Sequence, residues 1–135
     1  MAGFHAKAIE LSLEALLATG TPKLAFMATS YTYDPEAHQY WSDTSASIAS
    51  GTTVRTLTGV SVNIDTANDR VEIDFDNPSE TPVTTTTNQV QLIVDTGNAA
   101  TSPIVATGAL STTLSPTGGT LTLTVNAEGL CAISY

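Results

Sequence analysis

The spacing of apolar residues changes once along this chain, at Gly20-Thr21-Pro22, and that change limits the fold more than any motif does. Before it, Phe4, Ile9, Leu13, Leu16 and Leu17 recur at helical intervals, with Glu10 and Glu14 one turn apart on the other side. This predicts one amphipathic helix over residues 3–18. Gly20 is expected to take the left-handed cap, and Pro22 cannot continue a helical ladder. Beyond Pro22 the period becomes two, and Val, Ile and Thr, which suit a pleated half-buried surface, dominate. Val60, Val62 and Ile64 alternate with Ser61, Asn63 and Asp65; after the turn residues Ala67-Asn68-Asp69, Val71, Ile73 and Phe75 alternate with Glu72, Asp74 and Asp76. The pattern predicts a hairpin with its acids on a solvated face.

Further strands are expected at Leu24 to Ala28, at Val90 to Val94 before the turn Asp95-Thr96-Gly97-Asn98, and at Ile104 to Ala106 after Pro103. A closing pair is expected from Leu121, Leu123 and Val125, opened by Pro116 to Gly119, and from Leu130 to Ile133, opened by Asn126 to Gly129. The threonine run Thr84 to Thr87 suits an edge strand or an extended connector. With 135 residues the chain can bury one core. The expected fold is mainly β: a single-domain antiparallel β-sandwich or barrel of about seven short strands with one N-terminal helix. Residues 1–22 form a helix or docking segment and residues 23–135 the β domain.

Charge narrows the function. Thirteen acids face four bases, Lys7, Lys23, Arg55 and Arg70, and the formal charge is −9. Scattered cations make no phosphate footprint, which argues against nucleic acid and against anionic membrane surfaces. The longest apolar tract, Leu11 to Ala18, is interrupted by Ser12 and Glu14 and is too short to span a bilayer. His5, Lys7, Glu10 and Glu14 break any signal-peptide core, so the expectation is a protein made and assembled inside a cell. Cys131 is alone and sits in an apolar run, where a buried structural thiol is expected.

Reactive constellations are sparse. Asp74-Phe75-Asp76-Asn77 resembles the start of a calcium loop, but Pro78 takes the next ligand position and neither the required Gly nor the closing Glu follows. His5 and His38 lack close-spaced ligand partners, so no metal is expected. Asp34-Pro35-Glu36-Ala37-His38 is more economically a turn than an acid/base cluster. No serine lies in a nucleophile elbow, and Gly118-Gly119 precedes a strand rather than the helix a phosphate loop requires. No catalytic residue, no cofactor and no enzymatic activity are expected.

What remains is the block Lys23 to Gly51, which holds three of the four tyrosines and the only tryptophan. Tyr31, Tyr33 and Tyr40 are candidate interface residues, with Tyr31 or Tyr33 toward an exposed edge. Trp41 is the candidate centre of a small core that pins the loop to the sheet. The order KLAFMATSYTYDP, AHQYWSD, then Ile48 to Thr52 resembles a family of small structural proteins of tailed bacteriophages. The resemblance continues through Leu57 to Val62, Ala67 to Asp76, Val90 to Gly97, Thr101 to Ala106 and Gly118 to Leu130. This chain departs from it at Thr53-Val54-Arg55, where members carry Gly-Tyr and paired glycines. The resemblance implies a non-enzymatic virion component, foremost a capsid decoration or cement protein. Its implied partners are the major capsid protein or other virion proteins, and it would be a homo-oligomer, a trimer being the first expectation. A neck, tail or head-fibre adaptor is the alternative within that class. A carbohydrate-binding module using the aromatic loop is the alternative outside it.

Overall fold

The computed structural model describes residues 3–115, 117–124 and 131–134; for residues 80–83, 121, 131 and 132 the description covers the backbone alone. The anticipated Cys131 thiol, Pro116, and the residues from Val125 to Leu130 therefore lie outside the described residues. Helix α1 (Ala6–Leu17) leads into β1 (Thr21–Ala28), and a long irregular segment with one helical turn, α2 (Trp41–Thr44), follows. Then come β2 (Arg55–Thr56), β3 (Ser61–Asp65), β4 (Arg70–Asp74), β5 (Ser79–Val83), β6 (Thr87–Asp95), β7 (Ile104–Leu114), β8 (Gly119–Thr122) and β9 (Cys131–Ser134).

All described strand pairings are antiparallel. One sheet has the order β2-β1-β6-β7, a second the order β3-β4-β9, and β5 with β8 makes a two-stranded ribbon. The 61–74 hairpin forms as the alternation requires, with Ser61 opposite Asp74 and Asp65 opposite Arg70. Leu24, Phe26, Val90, Leu92 and Val94 of the four-stranded sheet face Ile73 and Phe75 of the other, with Leu17, Leu57 and Leu123 closing the margins. The molecule is thus a mainly β sandwich with an N-terminal helix, as the periodicity predicts. Leu13, Leu16 and Leu17 of α1 pack against the same core.

Four expectations change. Gly20 is not in the left-handed region; a Cβ there would lie 2.8 Å from the carbonyl carbon of Asp95. Close approach, not a helix cap, explains the glycine. Thr87 opens the central strand β6 rather than an edge, and is fully buried with its hydroxyl donating to the Met27 carbonyl at 2.7 Å. The two closing strands do not pair with each other: β8 joins β5 and β9 joins β4. Phe4 precedes α1, so it does not extend the helix's buried stripe and stays 80% exposed.

Leu24, Ala25, Phe26 and Met27 are consecutive and all 0% exposed. A strand with one solvated face cannot do this. The second face of the four-stranded sheet is covered by the irregular segment between β1 and β2, and that layer carries the aromatic block.

Candidate functional site

The covering segment is tied down at both ends by backbone hydrogen bonds. Ala49 N–H donates to the Phe26 carbonyl at 2.8 Å, Trp41 N–H to the Ser102 carbonyl at 2.8 Å, and Ile104 N–H to the Gln39 carbonyl at 3.0 Å. Beneath it, Ala25, Met27 and Tyr31 form a second apolar cluster against which Trp41, Ile48 and Val54 pack. Asp43 begins the α2 turn by accepting from Tyr40 N–H at 2.9 Å and Gln39 N–H at 3.1 Å. This supplies the orphan donors of a helix start with a carboxylate.

Tyr31 does not lie at an exposed edge. It is 6% exposed and its phenol sits in a buried polar chain. Thr44 Oγ1 donates to Gln91 Oε1 at 2.8 Å, and Gln91 Nε2 donates to the Tyr31 hydroxyl at 3.0 Å. The Tyr31 hydroxyl also lies 3.2 Å from His38 Nδ1. Burial pushes the Tyr31 phenol above its ordinary pKa. Tyr33 and Tyr40, at 56% and 44% exposure, present their rings outward, whereas Trp41 is half-buried.

The acids do not converge on one point. The Asp34 carboxylate accepts from the Glu36 and Ala37 amides at 3.1 and 3.0 Å, so the Asp-Pro-Glu-Ala-His stretch is a turn, as expected. Those amide bonds hold the Asp34 carboxyl below its usual range. Glu72 is not on a solvated face: it is 6% exposed and pairs with Arg70 Nε at 2.6 Å, which also lies 3.2 Å from Asp65 Oδ2. Asp76 Oδ2 accepts from the Thr58 hydroxyl at 2.8 Å, and Asp74 Oδ1 from the Phe75 amide at 2.9 Å. Among the described residues no three His, Cys, Asp or Glu side chains gather where a metal could bind.

A largely apolar open surface lies elsewhere. Phe4, Ala8, Ile9 and Leu13 on the helical side and Ile133 of β9 line a groove of about 540 Å³. A neighbouring hollow of about 230 Å³ shares Leu13 and Ile133 and reaches Tyr33 and Val105. Leu11, on the opposite side of α1 from the core, is 54% exposed and Ile133 46%. Neither Phe4 nor Ile133 is marked as a surface residue by the sequence, because Phe4 falls in the helical spacing of the apolar stripe and Ile133 in an apolar strand run, patterns that signal burial. The signal that could have found Phe4 is its position ahead of His5, the residue that caps α1.

No family model, curated protein or solved structure matches the chain. No helix among the described residues is long and apolar enough to cross a membrane.

Near the Trp41 side of the covering layer, Lys23 Nζ lies 2.6 Å from Asp95 Oδ2, bridging β1 and β6. The lysine, then the Gly97 amide at 2.8 Å, hold the Asp95 carboxyl below its usual range. A carboxyl depressed in the folded state adds stability above its unfolded value, about 3.9, that is lost as pH falls through the lower folded value. Because the pair is partly solvated, the gain is under about 1 kcal/mol. Urea midpoints measured from pH 6 down to pH 2, pH values on the order of those where carboxylates titrate, should fall more steeply for the native chain than for Lys23→Met. Parallel curves would show that the pair contributes nothing.

Proposed function

We propose that this chain is a non-enzymatic structural component of a tailed-bacteriophage virion, a capsid decoration or cement protein held on the particle surface by contact with the major capsid protein. In this reading it acts as a homo-oligomer, a trimer being what the resemblance implies. The observation that carries the reading is the apolar groove beside Phe4. A chain of net charge −9 that leaves Phe4 80% exposed next to a 46% exposed Ile133 keeps an apolar strip that a partner would cover. Acidity elsewhere keeps such a protein soluble at high local density and gives it no affinity for the packaged genome. The sequence resemblance to small virion proteins supports the same class.

Copy number in purified particles tests it. A decoration protein is present on the order of hundreds of copies, matched to the symmetry of the shell, whereas a neck, tail or fibre adaptor contributes about a dozen or fewer. The low count would replace the decoration reading with the adaptor one, and absence from particles would end both. Phe4→Ser should release the protein from particles. Its Tm should barely move, because an exposed substitution away from the core changes stability by no more than about 0.5 kcal/mol. Retention of Phe4→Ser at full occupancy would show that the groove is not the contact.

A further inference from the structure

A second open site lies where the covering layer meets the four-stranded sheet, and it shares no residue with the Phe4 groove. Trp41, Val54 and Ile93 bound a hollow of about 270 Å³ whose remaining wall holds Lys23, Asp95 and the turn at Gly97. Its walls belong to five separate parts of the chain: β1 and β6 are fixed through their ladder, α2 through the Trp41 amide on Ser102, the turn through Gly97 N–H on Asp95 Oδ1, and Val54 packs on the cluster of Ala25, Met27 and Tyr31. Ser102, 0% exposed, locks that turn further, donating to the Asn98 carbonyl at 2.8 Å and accepting from Thr96 N–H at 3.0 Å. The hollow is therefore built before any ligand arrives.

We infer that this hollow is a binding subsite for one neutral hexopyranose unit, stacked on the Trp41 indole and hydrogen-bonded through adjacent hydroxyls to Asp95 and Lys23. The chemistry follows from what each wall offers. A pyranose ring has an apolar C–H face that fits a flat aromatic surface and a rim of hydroxyls that demand partners. Asp95 Oδ1 takes the Gly97 amide at 2.8 Å and, weakly, the Ser102 hydroxyl at 3.5 Å, and Oδ2 takes Lys23 at 2.6 Å. Each carboxylate oxygen has two lone pairs, so Oδ2 keeps acceptor capacity for a sugar hydroxyl, and the lysine has donors to spare. The volume is below the roughly 300 Å³ at which drug-sized pockets begin, which suits one ring rather than a longer buried chain. The −9 charge of the chain works against uronic or sialic acids, so the class is neutral. The site does not depend on where the protein sits on a particle.

Trp41 is the only tryptophan, so its fluorescence reports the site directly. The full-length chain is titrated with glucose, galactose, mannose, N-acetylglucosamine and their β-linked disaccharides. The expected result is a saturable shift with at least one of them, with an affinity on the order of 1 mM, as befits a single shallow subsite. Asp95→Asn should weaken it at least roughly tenfold while leaving the unliganded emission spectrum unchanged. If Asp95→Asn loses its fold, Lys23→Met serves the same purpose, and Trp41→Phe, followed by calorimetry, should keep part of the affinity because stacking survives. No saturation with any neutral saccharide overturns the inference. So does binding that is equal in the native chain and in Asp95→Asn or Lys23→Met, or equal for glucuronic acid and glucose.

Discussion

Gly20→Ala is expected to destabilise the protein by about 3 kcal/mol, lowering Tm by roughly 10 °C. The residue lies between α1 and β1, where the chain turns from the helix onto the sheet, and its Cα faces the end of β6. A methyl group there meets the Asp95 backbone, 2.8 Å from the carbonyl carbon, and the Val94 side chain at 3.1 Å. Backbone cannot rotate out of the way as a side chain tip can, so either β6 or the helix–strand junction must shift. Both are anchored, the first by its pairing to β1 and β7, the second by Leu17 in the core. Gly97→Ala is the matched control. It occupies a left-handed position, φ +88°, with nothing within 4 Å of the new methyl group, so only the conformational cost of about 1–2 kcal/mol applies. Thermal melts of the two variants should therefore rank Gly20→Ala clearly below Gly97→Ala. The reverse order would mean that the junction yields and that packing on Asp95 does not hold α1 in place.

The same glycine shows where the sequence could be read and where it could not. Local periodicity is a property of neighbouring residues, so α1, the 61–74 hairpin and the apolar alternation of β6 follow directly from it. Gly20 looked like a helix cap because a glycine ahead of a proline carries that local meaning; its actual reason is a strand seventy-odd residues away in sequence, about which no local pattern informs. Glu72 misled for a related reason. Alternation placed it on the outer face correctly, but equating the outer face with solvent ignored Arg70, whose guanidinium closes over it. Tyr31 is the clearest case. An aromatic residue followed by Thr, Tyr, Asp and Pro reads as part of an exposed loop, yet the loop is itself a layer, because β1 is apolar on both faces and its second face, which it shares with Gln89, Gln91 and Ile93 of β6, is covered by that loop. The consecutive run Leu24 to Met27 did carry that information, since a strand without alternation must be buried twice. What it could not supply was the identity of the second cover, which is irregular and has no period to detect. The pairing of β8 with β5 and of β9 with β4 was hidden in the same way, since adjacency in sequence is only a tendency for strands.

Gln91→Leu should cost roughly 2–5 kcal/mol, although it exchanges a polar residue for an apolar one of similar size in the middle of the sheet. Gln91 is 0% exposed and lies on the covered face of β6. Its amide is the only described link between the Thr44 hydroxyl, which donates to it at 2.8 Å, and the Tyr31 phenol, which accepts from it at 3.0 Å. Leucine leaves the Thr44 hydroxyl, 1% exposed, without its acceptor and the buried phenol without its donor. Each such orphaned group costs about 1–3 kcal/mol, and the hydrophobic gain of one leucine offsets only part of the sum. The consequence extends beyond stability. This network joins α2, the start of the aromatic segment and the central strand, so its loss should loosen the covering layer as a unit while the opposite face of the sheet, with Leu24, Phe26 and Leu92, stays packed. Hydrogen exchange then separates the two faces. Amides of the covering segment, Ala49 and Trp41 among them, should lose protection in Gln91→Leu by much more than those of the β3–β4 hairpin. The double variant Thr44→Val with Gln91→Leu should recover part of the loss, because it removes an orphaned hydroxyl and keeps the shape. Uniform loss of protection across both layers, with no recovery in the double variant, would show that Gln91 contributes through core packing alone and that the aromatic segment is not held by its polar chain.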